Sequence, residues 1–213
     1  EGWKDRRLHL RFDGVDSWFE VFVNGHPAGQ GMGSRLPHEF DITGMVVAGG
    51  VNVLAVRVLQ WSVGTYLEDQ DMWWLSGIFR PVTLIAWPLA RIADLIVETS
   101  LDPGRVDGRV SLRARIVNEG DAPLAGHVLE AELRDAGGRS VWKQPLRAAV
   151  GGEGGEVALS GAVPSARLWS AEDPCLHTLL ATLKDGAGRT VMAVPQRVGI
   201  RQVEIRDGMI LIN

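Results

Sequence analysis

The sequence predicts an all-β protein built of two domains, and three observations lead to that prediction. Apolar residues recur with a period of two along most of the chain, as they do on β-strands. Twenty-six glycines and ten prolines divide the chain into short runs separated by turn signals. The length of 213 residues exceeds what one hydrophobic core usually organises, so two domains are expected.

The composition excludes several functional classes before any motif is considered. With 46% hydrophobic and 23% charged residues, the chain can bury a core and is not disordered. A net charge of −4 with interspersed signs indicates no nucleic-acid partner. No apolar run approaches about 20 residues and the start does not resemble a signal peptide, so we expect no membrane span and a cytoplasmic location. The single cysteine, Cys175, excludes an internal disulfide and indicates a small apolar filler.

The first domain begins with the clearest strand patterns. In the run 7–12 the apolar residues share one face and the polar residues the other. The run 18–23 is apolar on nearly both faces and ends at Asn24-Gly25, a strong hairpin signal. We interpret the glycine-rich stretch 29–33 as a loop. Further strands are predicted over residues 36–42, 51–59 and 82–86.

The character of the chain changes near Trp87-Pro88, where aromatic residues become sparse, and we place the domain boundary there. Short strands then follow at nearly regular intervals, which is typical of an immunoglobulin-like sandwich. The predicted strands are 91–99, 109–117, 127–134, 156–162, 177–184 and 190–198, with loops at 102–104, 135–138, 151–155 and 185–188.

The densest group of chemistry-bearing side chains is the run 66–74, which contains Tyr66, Glu68, Asp69, Asp71 and Trp73. Aromatic rings beside carboxylates can hold a sugar, because its apolar face stacks on a ring while its hydroxyls donate to carboxylates. The structural alternative is that the carboxylates accept backbone amides and pair with Arg57 or Arg80, while the tryptophans fill the core. Composition alone favours the structural alternative.

Patterns that would indicate a catalytic or metal site are absent from the sequence. Neighbouring carboxylates on one loop are a weak match to a glycosidase pair, whose members usually lie on separate strand ends. The five histidines are scattered singly, and no nucleophile-elbow or HExxH motif occurs. We therefore expect no catalytic residue, no cofactor and no metal site within these residues.

Several motifs stand in order along the chain. They are Phe12-Asp13-Gly14-Val15-Asp16-Ser17, Val23-Asn24-Gly25, the runs 33–42 and 52–56, Trp61-Ser62 with 66–73, Ser76-Gly77-Ile78-Phe79-Arg80, Leu168-Trp169-Ser170 and Asp173-Pro174. Together they closely resemble the N-terminal region of large β-galactosidases of glycoside hydrolase family 2. The resemblance covers essentially the whole chain.

The resemblance implies a layout and a function. Residues 1–88 would be a partial jelly-roll sugar-binding domain without its first strands, and 89–200 an immunoglobulin-like β-sandwich. Residues 201–213 would lead into a missing catalytic barrel, which in the family holds the acid/base glutamate, the nucleophile glutamate and the magnesium ligands. The chain would be a non-catalytic fragment, and its parent enzyme would hydrolyse terminal non-reducing β-D-galactose residues with retention of configuration.

The resemblance also bears on residues 63–73. At the position of Val63 the family usually has an aspartate that helps hold a sodium ion and the galactose hydroxyls. Valine offers no oxygen to a hard cation, which puts sodium binding there and strict galactose selectivity into question. The matching residues Tyr66, Glu68, Asp69, Asp71 and Trp73 would shape the edge of the substrate pocket or dock on the barrel, and a purely internal role is equally open. Magnesium and sodium would belong to the parent enzyme.

Two alternatives remain open at this stage. A stand-alone two-sandwich carbohydrate-binding or adhesion module is compatible with the fold, although it has no need for the strand pattern at 198–213. A β-glucuronidase or mannosidase relative also remains open because of Val63. A jelly roll without its first strands exposes a sheet edge, so we expect self-association. The final strand is expected to end at Asn213 without a partner.

Overall fold

Strands dominate the computed structural model, which describes residues 2–3, 5–68, 70–71, 73, 75–104 and 106–212, and the predicted all-β class is confirmed. The chain divides into two compact units, Glu1–Pro88 and Leu89–Asn213, which we call unit 1 and unit 2. In the part of the chain that the structure describes, no helix is long and apolar enough to cross a membrane.

The described part of unit 1 contains eight strands, one short helix and a 3-10 turn at Thr43–Met45. The elements are β1 (Arg6–Phe12), β2 (Val15–Asp16), β3 (Trp18–Val23), β4 (His26–Met32), β5 (His38–Asp41), β6 (Leu54–Leu59), α1 (Val63–Glu68), β7 (Gly77–Ile78) and β8 (Val82–Pro88). Two antiparallel sheets have the strand orders β5-β1-β8 and β4-β3-β6, and β2 pairs with β7. Because side chains alternate along strands, Leu10 and Phe12 of β1 meet Phe19, Val21 and Val23 of β3 in one buried cluster.

Most of the glycine-rich stretch 29–33 is a strand, so the predicted loop is wrong. β4 pairs with β3, and Gly31 lies opposite Phe19. A Cβ atom on Gly31 would stand 2.5 Å from the ring of Phe19, and one on Gly29 would stand 2.6 Å from the ring of Phe40. Glycine therefore makes room for aromatic rings that cover the strand, a packing reason that a turn pattern does not reveal.

Unit 2 is a sandwich of two antiparallel sheets followed by a hairpin. Its strands are β9 (Ala90–Leu101), β10 (Gly108–Asn118), β11 (Val128–Arg134), β12 (Leu146–Ala149), β13 (Gly154–Val163), β14 (His177–Lys184), β15 (Thr190–Val198), β16 (Val203–Arg206) and β17 (Met209–Ile212). The sheets have the orders β13-β10-β9 and β12-β11-β14-β15. Leu112 of β10, Leu129 and Leu133 of β11, and Leu179 and Leu183 of β14 are almost fully buried in the core between them.

Three features of unit 2 depart from the sequence-based expectation. The sequence does not predict β12, because a four-residue run with two alanines carries little strand signal. β13 begins inside the predicted loop 151–155, where Gly154 pairs with Val117. The last strand does have a partner, since β17 pairs with β16 around Asp207-Gly208, and both turn residues have the positive φ of a two-residue hairpin.

Candidate functional site

The acidic and aromatic run starts in a helix, whereas the sequence pattern predicts a loop. Helix α1 contains Tyr66 and Glu68, and Asp71 and Trp73 follow it as exposed residues. Asp69, together with the neighbouring Met72 and Trp74 of the same motif, lies outside the described residues.

Helix α1 begins at a cluster of three hydroxyl groups. The backbone N–H of Ser62 donates to Oγ1 of Thr65 at 3.1 Å, and the N–H of Thr65 donates to the carbonyl of Ser62 at 3.1 Å. The fully buried Ser17 places its Oγ 2.6 Å from Oγ of Ser62 and 2.7 Å from Oγ1 of Thr65. These bonds hold the start of α1 against the strand that follows Ser17. The spacing Ser-x-x-Thr resembles a capping box, which is the sequence signal that identifies this helix.

Glu68 ties the end of α1 to the turn at 33–35. Its two carboxylate oxygens accept the backbone N–H of Ser34 at 3.2 and 3.3 Å, and Oε2 lies 3.5 Å from Nη1 of Arg35. The structural alternative is therefore right that Glu68 accepts a backbone amide. For Glu68 the cation is Arg35, whereas the alternative named Arg57 or Arg80 for the three carboxylates; Asp69 lies outside the described residues. The sequence does not reveal this link, since 33 residues separate Arg35 from Glu68.

Arg80 supports the same turn from a second direction. Its Nη1 donates to the carbonyls of Arg35 at 3.0 Å and Asp13 at 3.4 Å. The guanidinium of Arg80 lies 5.3 Å from the ring centre of Phe79, and that of Arg35 lies 5.9 Å from the same ring. Such cation–π contacts each contribute on the order of 0.5–1 kcal/mol at exposed sites. The turn beneath α1 is thus fixed by one carboxylate, one ring and two guanidinium groups.

The side chains on the outer side of this segment are apolar and open to solvent. Tyr66 is 74% exposed, Leu67 77% and Trp73 86%. The interpretation that the tryptophans of this run fill the core is therefore wrong for Trp73. Exposed aromatic and aliphatic side chains close together in sequence, in a run that also contains the exposed Asp71, can contact either the apolar face of a sugar or another protein surface.

Val63, the first residue of α1, does not fit the sodium ion that the family resemblance suggests. Its side chain is 70% exposed and carries no oxygen. Among the residues that the structure describes, no group of three or more histidine, cysteine, aspartate or glutamate side chains could hold a metal ion. We therefore derive no chemical step through a sodium ion at this position.

Two family models match the chain in succession. The model described as "Glycosyl hydrolases family 2, sugar binding domain" matches residues 1–88, and the one described as "Glycosyl hydrolases family 2" matches residues 90–201. The two ranges together include all of the elements described above except the hairpin β16–β17.

Two curated relatives with clear sequence similarity to the chain share a name. A protein of Priestia megaterium named Beta-galactosidase is 39% identical over 212 residues, which is 99% of this chain and 20% of that protein. A protein of Aeromonas hydrophila with the same name is 43% identical over 214 residues, which is 97% of this chain and 20% of that protein. The chain therefore spans about a fifth of the length of these relatives.

Solved structures show the same fold at lower sequence identity. A glycosyl hydrolase family 2 member from Bacteroides cellulosilyticus aligns with a TM-score of 0.82 and 21% identity, covering 100% of this chain and 29% of that one. A β-glucuronidase from Bifidobacterium dentium aligns with a TM-score of 0.79 and 23% identity, covering 99% and 38%. At this identity the likeness supports the fold alone.

Proposed function

The chain belongs to glycosyl hydrolases family 2, and from that premise we propose that it is the accessory, non-catalytic part of a β-galactosidase. The parent enzyme hydrolyses terminal non-reducing β-D-galactose residues. The observation that carries this proposal is the identity of 39–43%, over nearly the whole chain, to relatives that are named Beta-galactosidase. The solved structures do not add to this choice, because a putative β-galactosidase and the β-glucuronidases among them are all 21–23% identical to the chain.

The chemistry of retaining glycosidases explains why we assign catalysis to the remainder of the parent protein and not to this chain. They need two carboxyl groups about 5 to 5.5 Å apart, one as acid/base and one as nucleophile. In this chain the carboxylate of Glu68 is engaged by a backbone amide and Arg35, so it serves to position a turn. We assign both catalytic carboxylates, and any magnesium or sodium ion, to the remainder of the parent protein.

The segment 63–73 is the proposed contact between this chain and that remainder. Glu68 and the hydroxyl cluster at Ser62 fix the segment from inside. Tyr66, Leu67 and Trp73 then remain free to form an apolar contact, at the edge of the substrate pocket or against the catalytic domain. Burying three such side chains would contribute several kcal/mol, at about 1.5–3 kcal/mol for each fully covered one.

A second candidate function is a carbohydrate-binding module that works alone. The exposed Trp73 and the exposed Asp71, two residues apart in sequence, support it, because rings and carboxylates are the groups that bind sugars. A single open platform binds a sugar weakly, since a small ligand gains affinity only when most of its surface is buried.

A chimera tests the proposed function. Residues 1–213 replace the matching segment of the Priestia megaterium enzyme, and hydrolysis of p-nitrophenyl β-D-galactoside is measured. We expect turnover of the galactoside and none of the matching β-glucuronide. A folded chimera that is inactive on the galactoside, beside an active parent, would contradict the proposal.

Two variants of the chimera test the role of the segment 63–73. Replacing Tyr66 and Trp73 together with alanine is expected to weaken assembly or raise KM for the galactoside. The matched control is Val51→Ala, because Val51 is 91% exposed in the same unit and outside the proposed contact. Equal behaviour of the double variant and the control would remove the segment from the proposal.

The isolated chain provides the complementary test. We expect no hydrolysis of the chromogenic galactoside by purified residues 1–213. Turnover that survives purification and disappears in Glu68→Gln would contradict the non-catalytic assignment. Galactose titration monitored by tryptophan fluorescence separates the second candidate, because a stand-alone module must bind a sugar in a saturable way, even if weakly, whereas the accessory part of an enzyme need not.

A further inference from the structure

Residues 199–202 connect the sandwich of unit 2 to the hairpin β16–β17, and we call them the exit segment. They belong to no strand or helix, and irregular connections are usually more mobile than the elements that they join. In this structure, however, each residue of the exit segment contacts another part of unit 2. The exit segment is therefore anchored although it lacks regular secondary structure.

Strand β9 provides the first anchor of the exit segment. The hydroxyl of Thr99 donates to the carbonyl of Arg201 at 2.7 Å, and the N–H of Arg201 donates to the same hydroxyl at 3.4 Å. Two residues further along β9, the backbone N–H of Leu101 donates to Oε1 of Gln202 at 3.2 Å. One short threonine side chain thus satisfies both backbone polar groups of Arg201.

Trp169, in the connection between β13 and β14, provides the second anchor. Its backbone N–H donates to the carbonyl of Ile200 at 2.9 Å, and the Ile200 side chain is fully buried in the core. A Cβ atom on Gly199 would stand 2.8 Å from Cγ of Trp169, so only glycine lets the backbone pass this close to the indole. The guanidinium of Arg201 lies 4.6 Å from the centre of the same ring, within the range of a cation–π contact.

We propose that Thr99 and Trp169 are positioning residues, which set the direction in which the chain leaves unit 2 toward the remainder of the parent enzyme. This role rests on the proposed function, in which both catalytic carboxylates belong to that remainder. The anchoring contacts come from β9, from the connection before β14 and from the buried core. A segment that is fixed at several points transmits position from one body to the next, whereas a few unsupported residues act as a hinge.

The proposed role predicts a particular kinetic signature. Both catalytic carboxylates lie in the remainder, so a change in its attachment leaves their mutual spacing intact. Its contact with the segment 63–73 would be displaced, however, and small displacements at a substrate pocket are costly. Loosening the exit segment should therefore raise KM for the galactoside and change kcat little. Partial unfolding would instead lower kcat at unchanged KM, because fewer molecules would be active.

Variants of Thr99 in the chimera with the Priestia megaterium enzyme test this signature. Thr99→Val keeps the branched shape and the strand preference but removes the hydroxyl. We expect KM for p-nitrophenyl β-D-galactoside to rise about threefold or more, with kcat within about twofold of the unmodified chimera. Thr99→Ser keeps a hydroxyl and should return KM to within about twofold. The matched control is Thr182→Val, the same substitution on β14, which should change neither constant.

Trypsin cleavage of the isolated chain tests the anchors without any activity. The side chain of Arg201 is exposed but its backbone is bound by Thr99, and a protease needs the backbone to open locally. We expect slow cleavage after Arg201, about tenfold faster cleavage in Thr99→Val, and slow cleavage again in Thr99→Ser. Trp169→Leu removes the ring that Gly199 and Arg201 contact, and should accelerate cleavage as well. An unchanged rate in Thr99→Val or in Trp169→Leu would overturn the proposal.

The kinetic outcomes separate this role from the proposed function. A folded, unmodified chimera without activity would contradict the proposed function, and this role with it. In an active chimera, only the positioning role is overturned if Thr99→Val leaves KM unchanged or lowers kcat alone. It is also overturned if Thr99→Ser behaves like Thr99→Val, because the hydroxyl would then not be the group that matters.

Discussion

The two units are built from similar antiparallel strands, but their hydrophobic cores differ in size and in how completely they are shielded from water. Among the residues that the structure describes, unit 2 buries eighteen hydrophobic residues in one cluster and unit 1 buries seven, although unit 2 is less than one and a half times as long. In unit 2 the alternation along β10 and β14 corresponds closely to buried and exposed positions. In unit 1 the same alternation on β6 and β8 leaves core-side leucines half open to water.

This difference shows what a period of two in a sequence means. The pattern reports that a strand has one apolar face, because side chains alternate across the sheet. It does not report whether another layer covers that face. Leu133 of β11 and Leu54 of β6 occupy equivalent pattern positions, yet Leu133 is fully buried and Leu54 is 46% exposed. A core side chain of unit 2 should therefore contribute more to the free energy of unfolding than one of unit 1.

The largest effect is expected from shortening a core leucine in unit 2. Leu133→Ala removes a completely buried side chain and should lower the free energy of unfolding by about 2–5 kcal/mol. Leu54→Ala in unit 1 should cost less than about 1 kcal/mol, because much of that side chain is already in water. Urea denaturation at low micromolar concentration, followed by circular dichroism, measures both. Equal costs would show that the two cores are equally closed.

The next effect concerns a buried carboxylate on the four-stranded sheet of unit 2. Glu130 lies 2.7 Å from Nζ of Lys184 and 3.2 Å from Nη2 of Arg147, and only 9% of its side chain is exposed. Both cations are partly solvated and can turn to water when the carboxylate is removed. Glu130→Gln should therefore cost about 1–2 kcal/mol.

Asp173→Asn is the matched control for Glu130→Gln. The carboxylate of Asp173 lies 2.9 Å from the guanidinium of Arg167, and the two side chains are 58% and 66% exposed. Exposed ion pairs contribute little, so a loss below about 0.5 kcal/mol is expected. A larger loss from Asp173→Asn than from Glu130→Gln would contradict the greater contribution assigned to the buried carboxylate.

A pH effect on stability between pH 6.5 and 5 is expected from a histidine of unit 2. Burial lowers the pKa of His177, and nearby Asp135 opposes that shift only in part. The unfolded chain then takes up a proton below pH 6.5 that the folded chain resists, so stability is full above this pH and falls as the pH decreases. One proton limits the slope to about 1.4 kcal/mol per pH unit.

His177→Gln should remove this slope between pH 6.5 and 5, as measured by thermal unfolding in matched buffers. Asp135 and Asp185 affect stability in a lower pH range. Backbone N–H groups of Arg139 and Arg189 lower the pKa values of Asp135 and Asp185, so the stability they provide is lost only below about pH 3.8. An unchanged slope in His177→Gln would show that another group responds to pH.

The smallest effect is expected at the turn beneath α1 in unit 1. Glu68→Ala removes the acceptor of the Ser34 N–H and the partner of Arg35, and should destabilise this turn by about 0.5–1.5 kcal/mol. Hydrogen exchange should become faster at the amide of Ser34. Asp71→Ala, at an exposed position on the same segment, should leave that amide unchanged.

Local patterns in the sequence predict most of the strands, and the exceptions have physical causes. The Asn24-Gly25 hairpin and the alternation of β10 and β14 depend on neighbouring residues, which a sequence displays directly. The strand β4 depends on rings from Phe19 and Phe40 that lie against its glycines, which the sequence pattern does not reveal. The local sequence pattern does not predict contacts between residues that are distant in the sequence.

The candidate site shows the same limit. The run 66–74 stands out in the sequence because aromatic and acidic residues are dense there, and its helix could be identified from Ser62 and Thr65. The buried hydroxyl of Ser17 and the amide of Ser34 come from other parts of the chain. Their roles depend on the folded arrangement, as does the exposure of Trp73.

Hydrogen exchange of the central strands tests the contrast between the units most directly. Amide protection of β14 in unit 2 is compared with that of β1 in unit 1, because both strands are paired on two sides. We expect β14 to exchange much more slowly than β1, since the core of unit 2 is closed and that of unit 1 is partly open. Equal protection of the two strands would show that unit 1 is as closed as unit 2 and would contradict the difference between the two cores.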